Sequence, residues 1–129
     1  MSKLDKNSII GISALLVHAA NIDEIYSNQE KELIKDFIKS YLKDDDADEI
    51  LNKAEIIEAD SNQLLNYTNI IKKNSQEVKK DIIKHLWKVI ISDNSVDLYE
   101  ANLMRRISGL IYIDDKTTGE LKLQVLENN

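Results

Sequence analysis

The chain contains no cysteine, no proline and only three glycines, Gly11, Gly109 and Gly119. Without cysteine there is no disulfide, no thiolate nucleophile and no cysteine-built zinc or iron–sulfur centre. That absence fits a reducing compartment, and a cytoplasmic location is expected. A sheet protein of 129 residues would need more glycine and proline at its turns, so their scarcity favours helices. Long apolar runs are missing too, because no stretch reaches the ~18 uninterrupted residues of a membrane-spanning helix. The opening segment MSKLDKNSIIGISALLVHAAN has the basic start and apolar run of a secretory signal in outline. Asp5 and His18 fit a signal poorly, and the segment is expected to form the first helix.

What is present suits a single helical domain over residues 1–129. Apolar residues make up 43% and charged residues 31%, a globular balance with enough chain to bury a core. The net charge of −6 is laid out unevenly. Residues 44–60 carry eight acids (Asp44, Asp45, Asp46, Asp48, Glu49, Glu55, Glu58 and Asp60) against Lys53 alone. Residues 72–88 carry six lysines against Glu77 and Asp81. The basic run reads as the solvated face of an amphipathic helix. Only Trp87 interleaves with it, and the acidic whole repels phosphate, so nucleic acid is not an expected partner.

An internal correspondence appears at a shift of 70 residues: Asp23 falls on Asp93, Ser27 on Asp97, Glu30 on Glu100, Leu33 on Leu103 and Phe37 on Ile107. Both stretches read as apolar helix, short acidic turn, apolar helix, which implies a duplicated all-α bundle of about seven helices. Expected helices cover about 7–22, a second after Ser27, about 46–58, about 61–72, Asn74 to about 91, a sixth after Asp97 and a last one after Asp114. Ile57 is expected to face inward with Ile50, Leu51 and Ala54. His85 is expected on a flank among lysines and His18 at the edge of the core. Of the adjacent Arg105 and Arg106, about 100° apart on a helix, one is expected to pair with an inward acid.

The turn SDNSVDLYE at residues 92–100 admits two readings. In one, Asp97 caps the following helix and Glu100 reaches back to complete a capping box, so the acids sit at the positive end of the helix dipole. In the other, Asp93, Asp97 and Glu100, with Asp23, Glu24 and Glu30 of the first copy, are hard oxygen ligands for a divalent cation such as Ca²⁺ or Mg²⁺. An EF-hand is excluded, because its sixth position would be Leu98 rather than glycine and its twelfth Met104 rather than glutamate. Neither histidine has a zinc-pair spacing, the serines have no adjacent base, and there is no glycine-rich phosphate loop. No catalytic constellation emerges, and no organic cofactor is expected.

The passage HLWKVIISDNSVDLYEANLMRRISGLIYIDD resembles the TerB-like family, the tellurite-resistance protein B group, which shares a superfamily with the N-terminal domain of the DjlA co-chaperone. Leu86, Trp87 and Val89 match its first helix, Asp93, Val96 and Asp97 its turn, and Tyr99, Glu100, Leu103, Arg105, Arg106 and Ile107 the remainder. Where the family has glycine after each turn aspartate, this chain has Glu24 and Asn94, so the first turn is expected to differ in geometry. The resemblance implies a duplicated helical fold, acidic turns that bind metal and an association with stress response. The leading expectation is a non-catalytic domain that binds a protein partner, a divalent cation, or both. The alternatives are a metal-dependent hydrolase using the same carboxylates, with His18 beside them, and a structural helical module whose acids only cap.

Overall fold

The computed structural model of the chain describes residues 5–21, 26–42, 46–60, 64–92 and 98–127, with residues 64, 98 and 99 described in their backbone only. Seven helices account for nearly all of them: α1 Lys6–Ala20, α2 Asn28–Tyr41, α3 Ala47–Asp60, α4 Leu64–Ile71, α5 Gln76–Ile91, α6 Leu98–Leu110 and α7 Asp115–Glu127. No strand occurs among the described residues. The fold is an all-α bundle, as the scarcity of glycine and proline implied.

Helix α1 is the hub. From Ile9 to Ala20 every residue except His18 is buried, because α1 is clasped by α2, α3, α4 and α5. A helix that is apolar all round belongs in a core, which accounts for the signal-like run near the start of the sequence. Its one buried hydroxyl, Ser13, donates back to the Ile9 carbonyl at 2.7 Å. At Gly11 a β-carbon would lie 2.5 Å from Cδ1 of Ile70, so the missing side chain lets α4 approach closely. Helix α5 is the second organiser, packing on α1, α2, α6 and α7. Its Trp87 is buried and donates its indole N–H to the Thr118 carbonyl at 3.1 Å, tying α5 to α7.

Local signals set most helix starts. Asp5 accepts from the Ser8 N–H at 2.7 Å and opens α1. Asp114 accepts from the Thr117 N–H at 2.7 Å just ahead of α7. That hydrogen bond holds the Asp114 carboxyl below its usual range. At α5 the expectation is off by one residue. Ser75 is the N-cap, accepting from the Val78 N–H at 3.3 Å. Asn74 turns backwards, its amide donating to the carbonyls of Ile70 and Ile71 and so closing α4.

Three expectations about burial are corrected. Ile57 is 40% exposed and Ile56 63% exposed, because α3 turns only its Ile50–Ala54 side to α1 and α2. His85 is buried at 8% exposure, since α2 lays the Phe37 ring against it at 5.1 Å. Arg105 and Arg106 are both exposed. The basic run also departs from a purely solvated face at one position: Lys79 is buried, with its ammonium 5.6 Å from the centre of the Tyr112 ring.

Candidate functional site

The corner between α1 and α2 is built from short-range chemistry. Helix α1 ends at Ala20, and the Asn21 N–H bonds to the Val17 and Ala19 carbonyls. Helix α2 opens with a complete capping box: Glu30 N–H donates to Ser27 Oγ at 3.2 Å, and Ser27 N–H donates to Glu30 Oε1 at 2.7 Å. Glu30 is therefore a cap, as its spacing from Ser27 predicted, and it is 7% exposed. Asp23 and Glu24, the other sequence-predicted acids of this corner, lie outside the described residues.

Helix α3 then adds acids from a distance. It packs on α1 and α2, and Glu55 and Glu58, three residues apart, share the face turned toward the corner. The Tyr26 hydroxyl donates to Glu55 Oε2 at 2.7 Å. Asn21 Nδ2 donates to Glu58 Oε1 at 3.2 Å, and His18 Nδ1 lies 3.4 Å from Glu58 Oε2. Lys31 is also in contact, 4.0 Å from Glu55 Oε2 and 5.0 Å from the centre of the Tyr26 ring. Burial, the hydrogen bond to Glu55 and the charges of Glu55, Glu30 and Glu58 all push the Tyr26 phenol far above its ordinary range.

The second corner is described in part. Helix α5 closes on Ser92, whose hydroxyl donates to the Val89 carbonyl at 2.8 Å. Glu100, the third residue of α6, is 5% exposed. It occupies the same place in its helix as Glu30 does in α2, and both are buried. Asp93 and Asp97 lie outside the described residues.

The structure thus places Glu30 and Glu100 at their corners as expected and adds Tyr26, Glu55 and Glu58, which sequence reasoning did not single out. The acidity of residues 44–60 was visible, and so was the common face of Glu55 and Glu58. Which neighbour that face meets depends on how α3 docks. His18, the histidine expected beside turn acids in a hydrolase, pairs with Glu58 of α3. Among the described residues no group of three or more His, Asp or Glu side chains is close enough together to hold a metal ion. The three glutamates surround Tyr26 without converging on one point. A cation cage therefore requires the turn acids outside the described residues.

The chain matches the family model of tellurite resistance protein TerB over residues 10–123. The chain belongs to the TerB family. No curated protein and no solved structure matches it. The TerB match begins at Ile10 in α1 and ends at Leu123 in α7, so it takes in both corners and the intervening α3 that supplies Glu55 and Glu58. A TerB domain is a tellurite-resistance-type domain, and no described helix of this one is long and apolar enough to cross a membrane.

Proposed function

We propose that this chain is a non-catalytic stress-response module that works by binding, with its acidic inter-helix corners engaging a divalent cation. One observation carries the reading: α3 brings Glu55 and Glu58 to the corner that already holds Glu30, around the hydroxyl of Tyr26. Acids brought near one another raise the negative potential of the corner, and a bound cation lowers it. Asp23 and Glu24 adjoin the first corner in sequence, as Asp93 and Asp97 adjoin Glu100 at the second. They would supply the further oxygens that Ca²⁺ or Mg²⁺ requires.

Melting the protein with and without each cation tests the proposal. A cation present at about 100 times its dissociation constant should add ~2.7 kcal/mol of stability. Asp93→Asn/Asp97→Asn and Glu55→Gln/Glu58→Gln should each weaken the cation far more than they weaken the fold. Calorimetric titration without heat for Ca²⁺, Mg²⁺, Mn²⁺ and Zn²⁺ would retire the cation. Phosphatase or esterase turnover above background would favour the hydrolase.

A second reading rests on the same field: a basic segment of a partner protein takes the place of the ion. It is favoured by the placement of Glu55 and Glu58 on one face of α3 beside Tyr26 and Asn21. Under it, Glu55→Gln/Glu58→Gln abolishes capture of a partner while cations leave the melting temperature unchanged.

A further inference from the structure

Helices α2, α5 and α7 form a groove along which Lys80, Lys84 and Lys88 stand in one row of α5 at i, i+4 spacing. The part beside Lys84 and Lys88 is a cavity of about 630 Å³, a size that holds a small molecule. Tyr26, Glu30, Glu55 and Glu58 take no part in its lining, so it is separate from the first acidic corner. Its charges are balanced. Asp36 of α2 stands on one wall, Lys84 and Lys88 of α5 on another, and Asp81 is the remaining acid. Asp81 is already engaged, because the Tyr41 hydroxyl donates to its Oδ2 at 2.7 Å. Asp36, Lys84 and Lys88 form no ion pair among the described residues. A lining with as many acids as lysines has no net field to draw in a polyanion or a polycation.

The same cavity is bordered by an imidazole that makes no hydrogen bond. His85 is 8% exposed. Its Nε2 lies 3.6 Å from Asp81 Oδ2, too far for a hydrogen bond, and neither ring nitrogen bonds elsewhere among the described residues. Among those residues no fully enclosed side-chain nitrogen or oxygen lacks a partner, so the unbonded imidazole edge opens on the cavity that His85 lines. Burial holds the ring neutral, and a neutral imidazole offers one N–H donor and one acceptor. A buried polar group without a partner costs free energy, which a ligand bonded to it recovers. The charges of Asp36, Lys84 and Lys88 all act on the ring, so it lies within reach of all three. Leu33, Ile91 and Val125 supply the apolar lining.

We propose that this cavity binds a small zwitterion, a free amino acid or a dipeptide, with its ammonium on Asp36, its carboxylate on Lys84 and Lys88, and a hydrogen bond to His85. An apolar side chain of the ligand lies against Leu33, Ile91 and Val125. A molecule with one charge of each sign satisfies both walls at once, whereas a simple anion leaves Asp36 unpaired and a simple cation leaves the lysines unpaired.

Two-dimensional ¹H–¹⁵N NMR of the full chain tests this, run in EDTA so that no divalent cation takes part. The standard amino acids and a set of dipeptides, glycyl-leucine and leucyl-glycine among them, are added singly to about 10 mM. At least one should bind saturably with a Kd of about 1 mM or tighter. The resonances that move should be amides of α2, α5 and α7 bordering the cavity and the ring nitrogens of His85. Which set responds distinguishes the amino acid from the dipeptide. Asp36→Asn and Lys84→Gln/Lys88→Gln should each raise that Kd at least about tenfold. N-acetylation of the ligand should weaken it by a similar factor in wild type and add little in Asp36→Asn, because both changes remove one ion pair. Amidation of its carboxylate should behave likewise toward the lysine variant. Circular dichroism verifies that each variant folds, and if one does not, the acetylated and amidated ligands on wild type decide. Absence of saturable shifts, shifts confined to other surfaces, an acetylated or amidated ligand as tight as its parent, or unchanged affinity in either variant overturns the proposal.

Discussion

His85 is held neutral by its surroundings. Burial depresses its pKa below the ordinary histidine value, although the Asp81 carboxylate at 3.6 Å and Asp36 pull the other way. Lys84 and Lys88 add to the depression, and Phe37 of α2 covers the ring. From α7, only the uncharged Gln124 and Val125 line the same cavity. In the unfolded chain the imidazole takes up a proton near pH 6.5, while in the folded chain it resists to lower pH. The unfolded state therefore binds more protons in that window, and stability falls as pH drops from about 7 toward the depressed folded value, by at most about 1.4 kcal/mol per pH unit. Denaturant titrations between about pH 7.5 and 5.5 should show this slope in wild type and a flatter one in His85→Gln. An equal slope in both would mean that another group titrates. At the first corner, Ser27→Ala removes the oxygen that accepts from Glu30 N–H and should cost about 1 kcal/mol by chemical denaturation. A much larger loss would show that the box also orders the turn before it.

At the scale of elements, the end of α6 is the place where local conformation and residue type disagree. Ile113 N–H bonds to the Ser108 carbonyl at 2.8 Å and Tyr112 N–H to that of Gly109 at 3.3 Å, the paired bonds of a Schellman terminus. The residue at the left-handed position is Tyr112, at φ 66, where glycine is the usual occupant. Its ring is exposed except for the contact with Lys79. Tyr112→Gly should therefore stabilise the protein by about 1 kcal/mol, relief of the left-handed strain outweighing the lost ring contact and the added chain entropy. A fall in melting temperature would assign the Lys79 contact more weight than the backbone strain. Below this terminus Ile113 is buried, and the Thr118 hydroxyl donates to Ser108 Oγ at 2.8 Å. Helix α7 is in this way locked to α6 in spite of the weak helix formers Thr117, Thr118 and Gly119 at its start.

At the scale of the molecule, charge is sorted by side: the acidic α3 packs against α1 and α2, and the lysine row of α5 lines the groove closed by α7. Helix number, order and most termini were legible in the sequence, because they follow from 3.6-residue apolar periodicity and from caps such as Ser27 with Glu30 and Asp114 with Thr117. The turn-flanking Glu30 was legible for the same reason: a cap is chemistry within four residues. Three features depended on how helices meet across the bundle. The docking of α3 put Glu55 beside Tyr26, 29 residues away in the chain. The approach of α2 buried His85, and the tilt of α3 left Ile56 and Ile57 in water. A helical stripe specifies which residues share a face, but the partner of that face is set by the packing of the whole core, a many-body fit that no local window contains.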